Sequence, residues 1–550
     1  MTLPVGNILA IDVETTGRDP FSSKLLGVGL AVSPTEAVYT KDYALIQSYL
    51  SLPVTKIGHN IKFDVEVLES HGFTVAGKLE DTYVLAKVIG QWNKYGLKYL
   101  YQQIFNKPLP TVKDLINKYK PNKGKKGEVT DIPEEVLAEY CKKDCFMTLE
   151  LYTYFKSIVH HNALKVYEDI ELPLIRILIA MEQEGVKVEK KLLEAILDKN
   201  SSTLATMRAL IWEFAGEEFN INSFPQLNRI LYEKFKYPVV RRTKKTKEPQ
   251  TNEESLIKLS KMNCPMAKML VPYRKLEKIR SAFGYTLIES ISQATNRIHP
   301  CFNQIEARTG RFSCESPNLQ QIPQEIRMAF VPREGCTFVS ADYSQMEMVM
   351  LAHLTKDEGL IKVFTEGRDI HEEVEKSLNV DRRTAKAINF GIAYGQGAFG
   401  LSKTIGCPST KAKEYLETYN SLYPGIGEFT EQMVESVKQI GGVFTIFNRF
   451  RNIDAEEFNT QRLRSIAINT PIQGSCADIM KVAMKNIALD MAGLKSKLIL
   501  QIHDELVVEC LIEEKEQVKS ILKNRMENVI TMLAPLKVDI HEAMAWGLLK

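Results

Sequence analysis

The stretch Arg382-Arg-Thr-Ala-Lys386-Ala-Ile-Asn-Phe390-Gly-Ile-Ala-Tyr394-Gly395 sets Arg382, Lys386, Phe390 and Tyr394 four residues apart. At about 100° per residue, each step of four drifts by only about 40°, so these side chains form one slanted stripe along a predicted helix. Ala385, Ile388 and Ile392 occupy the opposite side, where they suit packing. Two cations followed by two aromatics suit a nucleoside triphosphate, with charge toward the phosphates and rings toward the base. The same stripe fits a solvated cationic end above core aromatics, so its flanks decide.

Upstream, the apolar run Thr337-Phe-Val-Ser-Ala341 predicts a buried strand leading into Asp342-Tyr-Ser-Gln-Met-Glu347, with a helix starting behind it. Downstream, Lys497-Leu-Ile-Leu-Gln-Ile502 and Leu506-Val-Val-Glu-Cys510 predict two strands with His503-Asp504-Glu505 at the hairpin tip. Buried strands that end in Asp are unusual unless a metal or partner is there. Residues from about 371 to 491 read as one long helical block.

The N-terminal region repeats the theme. Asn7-Ile-Leu-Ala-Ile11 predicts a strand delivering Asp12-Val-Glu14, whose carboxylates, two apart, face the same way. His59-Asn60-Ile-Lys-Phe-Asp64 and Tyr140-Cys-Lys-Lys-Asp144 add two acids, the second one helical turn beyond Tyr140. An isolated Asp-x-Glu is an ordinary surface pair, and the ordered set is the signal. Four converging carboxylates need cations, and an all-oxygen set suits Mg²⁺ or Mn²⁺. Two such ions about 3.5–4 Å apart activate water and stabilise the leaving oxygen of a phosphodiester, with Tyr140 placed to orient that water.

With 550 residues, the chain is long enough for about three to four folding units. Hydrophobic residues at 44% and charged residues at 25% exclude a disordered tail or a fibre. No run nears the roughly 20 apolar residues of a spanning helix, and the first ten residues lack signal-peptide features, so a cytoplasmic protein with no membrane domain is expected. Nine cysteines without a Cys-x-x-Cys pair imply free thiols in a reducing compartment. Cys141 and Cys145 read as a helical coincidence, since no second Cys/His pair completes zinc's tetrahedron. The net charge of +3 says little, but Arg241-Arg242-Thr-Lys244-Lys245-Thr-Lys247 holds five basic residues and no acid. That run fits either a solvated loop tip or a contact to a nucleic-acid backbone.

In order, Thr309-Gly-Arg311-Phe-Ser313, Pro317-Asn-Leu-Gln-Gln-Ile-Pro323, Asp342-Tyr-Ser-Gln, the Arg382 to Gly395 helix, Ile472-Gln473-Gly474 and His503-Asp504-Glu505 resemble the motifs of family A DNA polymerases of the bacterial large-fragment type. The N-terminal acid set resembles the 3′→5′ exonuclease superfamily. The resemblance implies an α/β multidomain fold: a ribonuclease-H-like exonuclease domain over 1–162, then a right-hand polymerase over 163–550. Its thumb falls at about 186–297, its palm at about 298–365 and 492–550, and its fingers at about 366–491. It further implies template-directed DNA synthesis with proofreading.

Residue by residue, Asp12, Glu14, Asp64 and Asp144 become metal ligands assisted by Tyr140, and Asp342 and Asp504 hold two Mg²⁺, for which Mn²⁺ can substitute. Arg382 and Lys386 bind phosphates, Lys386 also being the candidate general acid for departing pyrophosphate. Phe390, Tyr394, Glu347, Gln345 and His371 complete the nucleotide pocket, Glu347 as the steric gate against ribose. Phe rather than Tyr at 390 implies poor use of dideoxynucleotides. Arg311, Asn318, Asn469, Gln473 and His503 contact DNA, several through minor-groove acceptors that hardly vary with sequence, and Arg241, Arg242, Lys244 and Lys245 contact its backbone. The expected partners are primer–template DNA and deoxynucleoside triphosphates, bound by a monomer. Two positions depart from the family pattern: Met348-Val349 replaces Leu-Arg, and Ser465, beside Arg464, replaces the arginine four residues before Asn469. The exonuclease strand begins at about Asn7, so no 5′ nuclease domain is expected.

Overall fold

The computed structural model describes residues 3, 4, 6–121, 126–243 and 246–549. The apolar run before Asp12 becomes the strand Ile8–Thr15, the middle of a sheet ordered Glu36–Thr40, Leu25–Ser33, Ile8–Thr15, Thr55–Gly58, Leu79–Asp81. It runs antiparallel to Leu25–Ser33 and parallel to Thr55–Gly58. Helix Glu134–Ile158 lies on this sheet with Cys141 and Cys145 buried against it. Gly29, opposite Asp12 in register, permits that closeness: a Cβ there would lie 2.7 Å from Cys141 Sγ and 3.0 Å from Cys145 Sγ. All nine cysteines are free thiols, as expected.

A second sheet, antiparallel throughout, is ordered Lys497–Ile502, Glu505–Leu511, Cys336–Tyr343, Val538–Ala543. Both predicted junctions of strand and acid are present. Cys336–Tyr343 is buried along its length except at Asp342, and His503 takes the left-handed conformation (φ 55°) that closes the hairpin before Asp504. Helices Met346–Thr355, Thr460–Asp490 and Lys515–Glu527 pack together, the last directly on Cys336–Tyr343. Residues 190–289 are chiefly helical and have a small core of their own around Leu204, Ile211, Leu231, Met266 and Leu270. Arg241 and Arg242 sit on this unit, whereas Lys244 and Lys245 lie outside the described residues.

The expectation of one helical block over 371–491 needs correction. Helices run from Ile370–Leu378 to Gly425–Ile440, then the hairpin Gly442–Phe444/Phe450–Asn452 intervenes before Thr460–Asp490. Gly441 in the left-handed region (φ 72°) stops the helix, and strands of three residues are too short to register as a change of period.

The two sheets belong to separate cores, and helix Leu172–Glu184 serves both. Leu172, Ile175 and Ile179 face the first core, while Leu174, Leu178 and Met181 face the second. Beside it, Glu171 meets Lys481 Nζ at 2.6 Å and Arg449 Nη2 at 2.5 Å, and Arg449 also meets Asp478 at 2.7 Å. Gln304 Nε2 and Thr445 Oγ1 donate to Glu171 and Asp478 at 2.7 and 2.8 Å. Burial alone would raise the Glu171 carboxyl, but Lys481 and Arg449 hold it below the usual carboxylate range. Two cations and two anions thus sit almost out of water at the seam, where removing one partner strands the others. Replacing Glu171 with Leu is therefore expected to cost about 3–5 kcal/mol in a urea titration. A loss below about 1 kcal/mol would show that the apolar helix alone holds the seam.

Candidate functional site

The first acid set is assembled from one strand and two helices. Asp12 and Glu14 leave Ile8–Thr15 on one face, and Asp64 arrives on helix Ile61–Ser70, its Oδ1 accepting from Val13 N at 3.1 Å. Asn60 (φ 69°) turns the chain into that helix, its N–H and that of Ile61 each donating to Asp81 at 3.0 Å. Asp81 was not singled out in the sequence, and its role is to fix this turn. His59 Nδ1 lies 2.9 Å from Thr82 Oγ1 and Nε2 2.8 Å from the Tyr95 carbonyl, and burial pulls the ring down to about 4, so it stays neutral.

Asp144 projects from helix Glu134–Ile158 and forms an ion pair with Lys98, whose ammonium also lies 4.1 Å from the Tyr140 ring centre. Lys98 is the functional residue that the sequence reading missed. Its signal is a lone cation inside the apolar and aromatic run Leu97-Lys-Tyr-Leu-Tyr101. Cys141 is the other: its thiol donates to Asp12 Oδ2 at 3.2 Å, and Asp12, Glu14 and Cys141 bring ligand atoms within 4.8 Å of one another.

Burial pushes Asp12 up to about 6, and burial followed by the charge of Asp12 pushes Glu14 up to about 9. Asp64 is raised well above its ordinary range by burial and then by Asp12. Tyr140 is held protonated by burial and by Asp12 and Glu14. Lys98, which burial lowers to about 8, is one positive charge against four acids. Such a donor set fits divalent cations, because the repulsion it stores is what a cation removes.

At the second set, Tyr343 N donates to the Asp504 carbonyl at 3.1 Å, and Asp342 stands in register between Glu505 and Asp539. Asp504 is pushed up to about 6 by burial, opposed by Arg311 and aided by Glu347 and Asp342. Arg311 pairs with buried Glu347, and Tyr394, whose phenol is raised by burial and then by Glu347, lies beside both. Cys476, a buried thiol not foreseen, lies underneath near Asp504.

The predicted stripe is borne by helix Arg382–Ala393, with Ala385, Ile388 and Ile392 buried behind it. Phe390 and Tyr394 stack at 6.1 Å, and Lys386 Nζ lies 5.9 Å from the Phe390 ring. Arg382 is paired with Asp369 and lies 3.5 Å from Glu375. His371 turns inward: its Nδ1 lies 2.9 Å from Asn389 Nδ2, and Tyr419 donates to Asn389 Oδ1 at 2.8 Å, tying three helices together. Gln345 Oε1 and Asn469 Oδ1 are buried without a hydrogen-bond partner in the protein, which suits a site completed by another molecule.

The side chains expected to contact DNA have partners within the protein in several cases. Asn318 uses its side chain to cap Gln320 N at 3.1 Å, while Gln473 is half-buried and His503 exposed. Arg241 pairs with Glu254 at 2.7 Å, and Arg242 donates to the Lys247 carbonyl at 2.9 Å. Arg464, beside Ser465, pairs with Glu431, and Ser465 Oγ donates to the Gly395 carbonyl at 2.7 Å. Ser465 therefore fastens the end of the stripe helix to Thr460–Asp490.

Two units, each with acids gathered at a strand end and one with a cationic and aromatic helix, define a class of nucleic-acid enzymes. A family model described as DNA polymerase family A matches residues 190–548, and one described as 3′-5′ exonuclease matches residues 3–160. The chain belongs to DNA polymerase family A, with an exonuclease domain ahead of the polymerase domain. It is 34% identical over 581 residues to DNA polymerase I of Borreliella burgdorferi, covering 99% of this chain and 63% of that one. With DNA polymerase I of Lactococcus lactis subsp. cremoris it shares 40% over 413 residues, covering 71% and 46%. The chain thus spans less than two thirds of these relatives' length. The POL domain of Pol1 from M. smegmatis, in complex with DNA primer-template and dNTP, superposes with a TM-score of 0.88 at 26% identity, covering 99% of this chain and 97% of that one. Among the described residues, no helix is long and apolar enough to cross a membrane.

The raised carboxyls set a pH signature. Above about pH 4 the unfolded chain releases the protons of Asp12 and Glu14 while the folded site keeps the first up to about pH 6 and the second up to about pH 9, so stability falls as pH rises through those windows. Mg²⁺ is expected to raise the melting temperature several degrees more at pH 8 than at pH 5, and Asp12→Asn/Glu14→Gln to abolish the difference, as read by calorimetry. Equal increments at both pH values would place the cation elsewhere.

Proposed function

We propose that the chain is a template-directed DNA polymerase that extends a primer 3′ end with deoxynucleotides and removes mispaired ends with its 3′→5′ exonuclease. The observation that carries this is the pair of acid sets, each at a strand end in its own core. In this reading the exonuclease domain spans 1–162 and the polymerase 163–550, with thumb at about 186–297, palm at about 298–365 and 492–550, and fingers at about 366–491. Asp12, Glu14, Asp64 and Asp144 would hold one pair of Mg²⁺ ions and Asp342 and Asp504 another, Mn²⁺ being able to substitute. When bound, such ions lower the pKa of the attacking hydroxyl or water and neutralise charge on the leaving oxygen.

The chain's own residues do the positioning. Arg382 exchanges Asp369 for a triphosphate, Lys386 on the next turn adds a second cation and can protonate pyrophosphate, and the Phe390 and Tyr394 rings face the base. Glu347, fixed by Arg311, lies under the sugar and excludes a 2′ hydroxyl. Asn469, Gln473 and His503 would meet the minor groove and Arg241 and Arg242 the DNA backbone, a role also proposed for Lys244 and Lys245, which lie outside the described residues. Tyr140, braced by Lys98, orients the water that cuts a mispaired end.

A primer with a mispaired 3′ end, four deoxynucleotides and Mg²⁺ tests both sites. Asp342→Asn is expected to abolish extension and still trim, whereas Asp12→Ala/Glu14→Ala extends paired primers and cannot trim. Normal extension by Asp342→Asn would refute the palm assignment. Glu347→Ala is expected to raise ribonucleotide incorporation at least about tenfold in single-nucleotide kinetics.

A further inference from the structure

Among the described residues, Asp12, Glu14 and Cys141 are the one group of three whose metal-ligating atoms come within 4.8 Å of one another. The sequence sets Cys141 one helical turn from Cys145 and gives it no further thiol or imidazole to share an ion with, but the fold brings carboxylates to it from strand Ile8–Thr15. Cys141 Sγ lies 3.2 Å from Asp12 Oδ2 and 3.4 Å from the Asp12 carbonyl. Cys145 makes no hydrogen bond to either acid among the described residues. Glu14 is 7% exposed, and its carboxylate has no hydrogen-bond or ion-pair partner among the described residues. A buried acid left so is rare, and the ligand atoms beside it are those of Asp12 and Cys141. The other two acids of the set are engaged: Asp64 accepts from Val13 N at 3.1 Å, and Asp144 pairs with Lys98. Three donors are left to share one ion.

Sulfur changes which ion these donors prefer. Mg²⁺ takes oxygen ligands in near-octahedral shells, whereas a thiolate selects ions such as Zn²⁺. Around a tetrahedral Zn²⁺ with about 2.3 Å to sulfur and about 2.0 Å to oxygen, a sulfur and an oxygen ligand stand about 3.5 Å apart. The 3.2 Å between Cys141 Sγ and Asp12 Oδ2 is close to that spacing before any side chain moves. Two carboxylates and one thiolate leave a fourth position open, as in zinc sites that hold water or substrate. Gly29 leaves the sulfur its room, since a Cβ there would lie 2.7 Å from Cys141 Sγ.

We propose that Asp12, Glu14 and Cys141 form a site for one thiophilic divalent ion of the zinc class, with Cys141 Sγ as its third protein ligand. On binding, the ion replaces the thiol proton, which leaves to solvent. This rests on the reading of the first acid set as the metal site of the exonuclease, and adds that Zn²⁺ and Mg²⁺ compete there for Asp12 and Glu14. Co²⁺ titrated into the full chain, reduced and stripped of metal, tests it, because a thiolate ligand gives a sulfur-to-cobalt charge-transfer band in the near ultraviolet that oxygen ligands do not. One equivalent is expected to produce the band in the unmutated chain and in Cys145→Ala. Cys141→Ser and Asp12→Asn/Glu14→Gln are expected to lose it, and Cys141→Ser to bind Zn²⁺ about tenfold or more weakly in competition with a chromophoric chelator. Melting curves check that each variant is folded; if Cys141→Ser is not, Asp12→Asn/Glu14→Gln, with every thiol intact, carries the test. An unmutated chain without the band, or a band that survives Cys141→Ser or the double substitution, overturns the proposal. Loss of the band in Cys145→Ala also overturns it, placing the ion between the two thiols. Trimming of a mispaired primer in Mg²⁺ is measured alongside, and its absence from the unmutated chain would refute the exonuclease reading while leaving the band to decide the ion site.

Discussion

The ion cluster of Glu171, Arg449, Asp478 and Lys481 fixes how the two halves of the molecule meet. An apolar seam along helix Leu172–Glu184 would tolerate sliding from one ridge to the next. The cluster does not, because every charge in it is out of water and is satisfied in one arrangement only. Its partners then reach the chemistry: Arg449 supports Gly310 just before Arg311, and Asp478 belongs to the helix that presents Asn469 and Gln473. The second acid set is thus braced by the residues that anchor the first unit.

The two acid sets confront the same repulsion differently. The first is buried, so its carboxyls are lifted, and Lys98, itself lowered to about 8 by burial, is the countercharge beside them. In the second, Asp342 is exposed at a strand end, and the countercharge is Arg311, itself shared with Glu347.

Much of this was legible in the sequence because the signals were local. Period two placed Asp12 and Glu14 on one face, period four placed the Arg382 to Tyr394 stripe, and apolar runs marked the strands that end at Asp342 and Asp504. What escaped notice depends on tertiary contact. Cys141 becomes a site residue only when its helix closes on the first sheet, and Lys98 only when its own helix packs on that one, while the inward turn of His371 is set by Asn389 and Tyr419. The hairpin at 442–452 was hidden because its strands are shorter than any periodic window. Asn318, legible as a polar residue after proline, spends its side chain on the local backbone.

Gly29 carries no functional group, yet it sets the distance between the sheet bearing Asp12 and the helix bearing Tyr140 and Asp144. Any side chain there would press on both thiols and on the Cys141 carbonyl 3.3 Å away, prising the helix from the strand. The four carboxylates and the tyrosine would all remain in the sequence, but no longer in reach of one another. A survey of the acidic residues alone would score such a chain as intact, although the set they form had been pulled apart.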